Sequence, residues 1–342
     1  MQRLCVIAIL AACLDAVTAQ YNFKWAPATI NAPAVVGFHV PGVPAWTQWF
    51  STNNKDAGES PPGNIQKCTS GGDNVWGASF DDGPTPYTPR LLEYFAAKKL
   101  KTTFWVVGYN VQANPDILRA TYDAGHEIGI HTWSHTHLTQ LSDDEIIAEL
   151  VYGARAVFEV IGKYPKYFRP PYGDVDGRVR SLAALVGLRS VIWSRDSQDW
   201  VYYANATAIN LIVPNNFKSW IDAGSKMDIS LEHDFDPSTV SVGIKAMDML
   251  LDAGYTLKPF GECIGETALY GNSILPKFFA SGLFESKLAP VQTATEVHGI
   301  PIAVITSTYR SEAAVKTSTK TSGVHAAASF STGFLAVFLA LL

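Results

Sequence analysis

From Val75 onward the chain alternates short apolar runs with amphipathic segments, and the two periods are easy to tell apart. Val75, Trp76 and Phe80 read as the end of a buried strand, which Gly83-Pro84 closes with a sharp turn. Thr88-Pro89 then caps a helix that carries Leu91, Leu92 and Phe95 on one face. Thr102 to Val107 is a strand, Asn114-Pro115 starts a helix that ends at Gly125, and Glu127 to His131 is strand again. Ser142-Asp143-Asp144-Glu145 is a capping box that opens an amphipathic helix running to Gly162. Lys166 to Arg169, Arg189 to Trp193, Met227 to Leu231 and Tyr255 to Pro259 are further strands. Helices separate them: Gly177 to Val186 behind Asp176, Thr207 to Trp220 interrupted at Pro214, and Val240 to Leu251. Roughly six or seven such units predict an α/β fold, a parallel sheet curled into a barrel, in part incomplete, with helices outside.

The flanks lack this rhythm. Residues 20–73 show no sustained periodicity, and the segment is expected to be an irregular arm packed onto the domain by Trp25, Trp46, Trp49 and Phe50. Arg3, the apolar run Leu4 to Leu14 and Val17-Thr18-Ala19 make residues 1–19 a signal peptide. The polar stretch from 305 to 322, the small pair Ser322-Gly323 and the apolar tail ending at Leu342 resemble a GPI attachment signal, with Ser322 as the attachment residue and 323–342 as the removed propeptide. The expected divisions are thus a 20–73 arm, a 74–265 main domain, a 266–304 extension and a 305–322 linker. Such a protein enters the secretory pathway and is lipid-anchored at the cell surface.

Composition narrows the partners. Among 342 residues, 47% are hydrophobic and 17% charged, and the net charge of -5 offers no footprint for nucleic acid. A neutral ligand fits better. Of the four cysteines, Cys5 and Cys13 leave with the leader, so Cys68 and Cys263 are expected to pair in an oxidising compartment. Asn205-Ala206-Thr207 is a glycosylation sequon.

The polar residues that carry chemistry sit at strand ends. Asp81 and Asp82 are adjacent, so alternation sends their side chains in different directions and lets one hold a cation while the other moves a proton. His131 and His135 can converge on a metal if a helical turn follows the strand, and two imidazoles plus one carboxylate leave coordination positions open. His126 and His137 read as bystanders. In Arg169-Pro170-Pro171-Tyr172-Gly173 the prolines stiffen a turn and leave the Tyr172 and Gly173 amides to face a ligand. Asp199-Trp200 and Leu231-Glu232-His233 end the next two strands.

Ser-Phe-Asp-Asp-Gly-Pro, His-Thr-Trp-Ser-His, Arg-Pro-Pro-Tyr-Gly, Asp-Ser-Gln-Asp-Trp and Leu-Glu-His together resemble the five ordered motifs of polysaccharide deacetylases with a NodB homology domain (carbohydrate esterase family 4), over about Val75 to Phe260. With its two terminal signals the chain is most similar to the fungal chitin deacetylases. Ser79 stands where threonine is common, a change expected to lie away from the carboxylates. The resemblance implies a deformed (β/α) barrel and a metal, usually zinc with cobalt or another divalent ion as substitutes, held by Asp82, His131 and His135. It implies Asp81 as general base, kept ionised by Arg169, and His233 as general acid, oriented by Asp199. Tyr172 would contribute a backbone N–H to the oxyanion, and Trp200 and Leu231 a pocket for the acetyl methyl. The implied substrate is chitin or another N-acetylglucosamine polymer, met by a monomer. An O-acetyl esterase acting on xylan, or a wall-anchored carbohydrate-binding protein without turnover, would use the same cleft.

Overall fold

Among the described residues nine short strands organise the fold, and those at its centre are buried on both faces. The computed structural model describes residues 39–54, 63–266, 268 and 270–286. The leader at 1–19, Trp25, and all positions from 287, Ser322 included, lie outside the described residues. The strands are β1 (Val75–Gly77), β2 (Ser79–Asp81), β3 (Thr103–Val106), β4 (Glu127–Ile130), β5 (Tyr167–Phe168), β6 (Arg189–Ser190), β7 (Arg195–Asp196), β8 (Ser230–His233) and β9 (Thr256–Lys258). β3 and β4 are buried at every position, as parallel strands covered on both sides must be.

The main sheet runs β6-β5-β4-β3-β2-β8-β7, all parallel, and β1 pairs separately with β9. Its two edges belong to one stretch of chain. Val191 N–H donates to Phe168 O at 2.9 Å, whereas Ser194 N–H donates to Ile229 O at 2.9 Å. Residues 189–196 therefore leave β5 and join β8, so the predicted strand Arg189 to Trp193 shortens to β6, and β7 follows beyond it after a bend. That bend curls the sheet into the deformed barrel.

Alternation sorts the core into two parts. Phe80, Phe104, Val106 and Phe168 point outward and pack under the helices. Their neighbours Val75, Trp105, Tyr167 and Val191 gather with Ile229, Phe260 and the Cys68–Cys263 disulfide in a second cluster that fills the interior. Gly77 suits this close packing, because a Cβ would meet both disulfide sulfurs at 3.1 and 3.2 Å, a tight contact.

The helix Asp143–Ile161 begins with the predicted capping box, Ser142 accepting from Glu145 N–H and Glu145 from Ser142 N–H. Two expectations need correction. Ala206–Asp222 passes through Pro214 without interruption, because one missing amide is a smaller loss than exposing Ile209, Val213 and Phe217. Within the supposedly irregular arm, Pro44–Asn53 is a helix. Trp46 and Phe50 pack on Phe284 and Phe278, with ring centroids 5.2 and 4.6 Å apart, and Trp49 also lies on Phe278. Ten residues are too few for their period to stand out, and the partners that hold them come from Leu275–Ala280 and Leu283–Ser286, far along the chain.

The disulfide closes a sequence separation of 195 residues. Replacing Cys68 and Cys263 together by serine is expected to lower stability by about 2–5 kcal/mol. The drop would appear as an earlier denaturant midpoint, and an unchanged midpoint would remove the disulfide from the stability argument.

Candidate active site

At the C-terminal end of β2 the two carboxylates separate. Asp81 turns into the barrel and is 1% exposed; Asp82 leaves the strand with φ of 77°, a left-handed conformation uncommon for a residue with a Cβ. Arg169, which follows β5 and has no exposed surface, donates from Nη1 to Asp81 Oδ1 at 2.7 Å and to Ser79 Oγ at 2.8 Å. Its guanidinium lies over Trp105 and Trp193, 4.7 and 5.7 Å from the ring centroids. Burial drives the Asp81 carboxyl up and Arg169 pulls it back, leaving it at about 6. Ser79 is thus not away from the carboxylates; one guanidinium bridges it to Asp81.

Asp82 has the opposite balance. Burial, the largest single influence, would raise it, but His135 together with His233 and His131 holds it below the ordinary carboxylate range. His135 Nε2 and His131 Nε2 stand 3.2 and 3.5 Å from Asp82 Oδ1. His131 Nδ1 is 2.6 Å from the Arg169 carbonyl, which only accepts, so Nδ1 carries the proton and Nε2 presents a lone pair to Asp82. The helical turn expected between the two histidines is absent. Thr132 and His135 instead adopt φ of 63° and 58°, and these left-handed steps bring both rings to one side.

One ligand atom each from Asp82, His131 and His135 lies within 4.8 Å of the others. Ligands bound at about 2.0–2.1 Å in a tetrahedron are about 3.3 Å apart, close to both separations from Asp82 Oδ1. That oxygen is buried and has no hydrogen-bond donor. Two imidazole nitrogens and a carboxylate oxygen in this arrangement suit a divalent metal.

His233 ends β8, in register with Asp81 across the sheet. Asp199 grips it twice: His233 Nδ1 donates to Oδ1 at 2.7 Å and the His233 backbone N–H to Oδ2 at 2.9 Å. Burial, the largest single influence, would lower the imidazole, but the charge and hydrogen bond of Asp199, with the charges of Asp82 and Asp81, together raise it to about 10. Trp200 is 43% exposed with its indole N–H on Asp196, while Leu231 is buried two residues before His233.

Tyr172 has φ of 60° and a half-exposed ring. The Gly173 amide does not face a ligand: it donates to Pro170 O at 3.1 Å inside the turn. His137 lies outside the group formed by Asp82, His131 and His135. Its ring stacks on Tyr172 with centroids 4.0 Å apart, and Nδ1 is 3.5 Å from Asp174. His126 does stand apart from the site, buried against Phe95 and Phe104 with Nδ1 accepting from Thr102 N–H. Asn205 is exposed, and its side-chain oxygen caps the helix through Ala208 N–H.

Asp234 escaped the motif reading. Its carboxylate accepts from Thr88 Oγ1, and its carbonyl from Thr85 Oγ1 at 2.5 Å, so it braces the turn after Asp82. A Cβ on Gly83 would come within 2.5 Å of Asp234 Oδ2, which accounts for glycine there. An acidic residue directly after a catalytic-looking strand end was the available signal.

Comparison with known proteins agrees with this geometry. Residues 69–191 match the family described as polysaccharide deacetylase. Chitin deacetylase 1 of Cryptococcus neoformans var. grubii is 41% identical over 209 residues, covering 56% of this chain and 44% of that protein. Chitin deacetylase 1 of Saccharomyces cerevisiae is 40% identical over 194 residues, covering 55% of this chain and 60% of that protein. The chain thus spans about half the length of the curated relatives it matches. The solved chitin deacetylase of Colletotrichum lindemuthianum superposes with a TM-score of 0.57 at 29% identity, covering 61% of this chain and 96% of that one. The curled parallel sheet, the five strand-end motifs and these matches place in this chain a polysaccharide deacetylase domain of the NodB type, carbohydrate esterase family 4.

Proposed function

We propose that this chain hydrolyses the N-acetyl groups of chitin or chito-oligosaccharides to give chitosan and acetate. One observation carries the reading: a buried carboxylate paired to arginine and an imidazolium paired to a carboxylate end neighbouring strands, beside three convergent metal-ligand side chains. Asp82, His131 and His135 would hold the metal, with zinc the fitting ion, and when bound it polarises the acetamide carbonyl and makes water a stronger acid. Asp81 accepts the proton of the attacking water; at about 6 it is ionised at neutral pH yet basic enough to take that proton. Arg169 limits how far burial raises it. Protonated His233 donates to the departing amine, and Asp199 keeps both the proton and the ring orientation. The Tyr172 backbone N–H serves the developing oxyanion, and Trp200 and Leu231 face the acetyl methyl. The terminal signals in the sequence support a protein that works in the secretory pathway and is anchored at the cell surface by lipid.

Acetate release from N-acetylglucosamine oligomers and from acetylated xylan, measured before chelation, after it and after zinc is restored, tests the reading. Zinc-dependent release from the oligomers is expected. Release from xylan alone would replace it with O-acetyl esterase activity. No release at all from a zinc-loaded protein would favour a carbohydrate-binding role.

Asp81→Asn should keep zinc binding and lose about 10²–10⁴-fold in kcat, the range of a general base. Retention of turnover would sink the base assignment. His233→Ala should damage N-acetyl substrates far more than aryl acetates, whose leaving group departs without a proton; equal losses would contradict an acid role.

Asp199→Asn should move the His233 titration, followed by NMR, to lower pH from about 10. Because folding raises this pKa above its ordinary 6.5, the pair's stabilisation is complete below 6.5 and fades as pH rises through about 10. The stability gap between wild type and Asp199→Asn should therefore narrow over that interval. A constant gap would show that the pair contributes no such linkage.

A further inference from the structure

The helix Asp143–Ile161 presents apolar side chains to the sheet along most of its length, yet at Glu149 it buries a carboxylate with no exposed surface. Among the described residues Glu149 makes no ion pair. A buried carboxylate is tolerated only where donors replace its hydration, and here four do so. Oε2 accepts from the backbone N–H groups of Trp133 and Ser134, each at 2.9 Å. Oε1 accepts from Ser134 Oγ at 2.6 Å and from Val40 N–H at 3.1 Å. Three of the four donors thus come from the stretch between His131 and His135.

That stretch is held from its other side as well. Gly108 and Tyr109 N–H donate to the carbonyls of Thr132 and Trp133 at 2.9 and 3.0 Å. Gly153 permits the helix to approach, because a Cβ there would meet Thr132 O at 2.9 Å. The two peptide planes from Thr132 to Ser134, which lie between the left-handed Thr132 and His135, are consequently fixed at both carbonyl and amide ends.

We infer that Glu149 is a positioning residue for the metal site, setting the separation and orientation of His131 and His135 by holding the turn between them. It touches neither substrate nor metal. Val40 brings the segment ahead of residue 69, where the family match begins, onto the same carboxylate. The inference rests on the reading of Asp82, His131 and His135 as metal ligands.

Zinc affinity of the full chain, measured without substrate by competition with a chromophoric chelator, tests it. Glu149→Gln preserves size but turns one acceptor into a donor facing N–H groups. It is expected to bind zinc about 10–100-fold more weakly than wild type, as supporting residues of metal ligands do, while the metal-free protein keeps its far-ultraviolet circular dichroism. Ser134→Ala removes one of the four bonds and should give a smaller but measurable loss. Wild-type affinity in a folded Glu149→Gln protein overturns the inference, even if its melting temperature falls, because the residue would then serve the fold alone. Should Glu149→Gln fail to fold, Ser134→Ala decides, and unchanged affinity there overturns it. A wild-type chain that binds no zinc would overturn the metal reading itself, and this inference with it.

Discussion

A guanidinium sealed from water inside a barrel is the constraint on which the site depends. Arg169 can be buried only because Asp81 neutralises it, Ser79 accepts from it, and Trp105 and Trp193 offer their faces. Its backbone is equally committed: the amide donates to Ile130 O in the ladder, and the carbonyl sets the tautomer of His131. One residue therefore connects the proposed base to the metal-ligand set. Removing either partner of the Arg169–Asp81 pair would leave a buried charge uncompensated, typically a loss of about 3–5 kcal/mol. Fold and site cannot be separated at this point.

Two adjacent aspartates acquire different properties from backbone geometry alone. Asp81 occupies the last strand position, faces the barrel interior and is raised by burial more than Arg169 lowers it. Asp82 sits one residue later on a left-handed step and faces two imidazoles. The same chemical group is thus tuned toward proton transfer in one case and toward permanent ionisation in the other.

Much of this was legible before the structure because the relevant periods are short. Alternation within strands located the strand ends, and the paired carboxylates, the spaced histidines and Arg169 all lie there. What escaped depends on partners distant in sequence. Helix Pro44–Asn53 is held by aromatic residues beyond position 270, and Ser79 is tied to Asp81 through Arg169. Glu149 looked like an ordinary member of an amphipathic helix, since periodicity records that a position is buried but not what it meets there. The turn at Thr132 to His135 escaped for another reason. Residues with a Cβ rarely take positive φ, so local propensity points away from the conformation that the surrounding hydrogen bonds impose.

The barrel also divides labour along its axis. Around Gly77 and β9 the interior is closed by the Cys68–Cys263 disulfide and the apolar residues packed with it, whose contribution is stability. At the opposite, C-terminal ends of the strands it holds ionised groups that each need a partner: Asp81 with Arg169, His233 with Asp199, Asp82 with the two histidines. Each pair offsets the desolvation that makes it chemically useful, so the apolar layer below must be rigid enough to keep the pairs in place. Trp105 belongs to both regions, packing on Phe260 below and beneath the Arg169 guanidinium above. The packing that stabilises the barrel therefore ends on the residue that keeps Asp81 ionised, and the proposed chemistry depends on that contact.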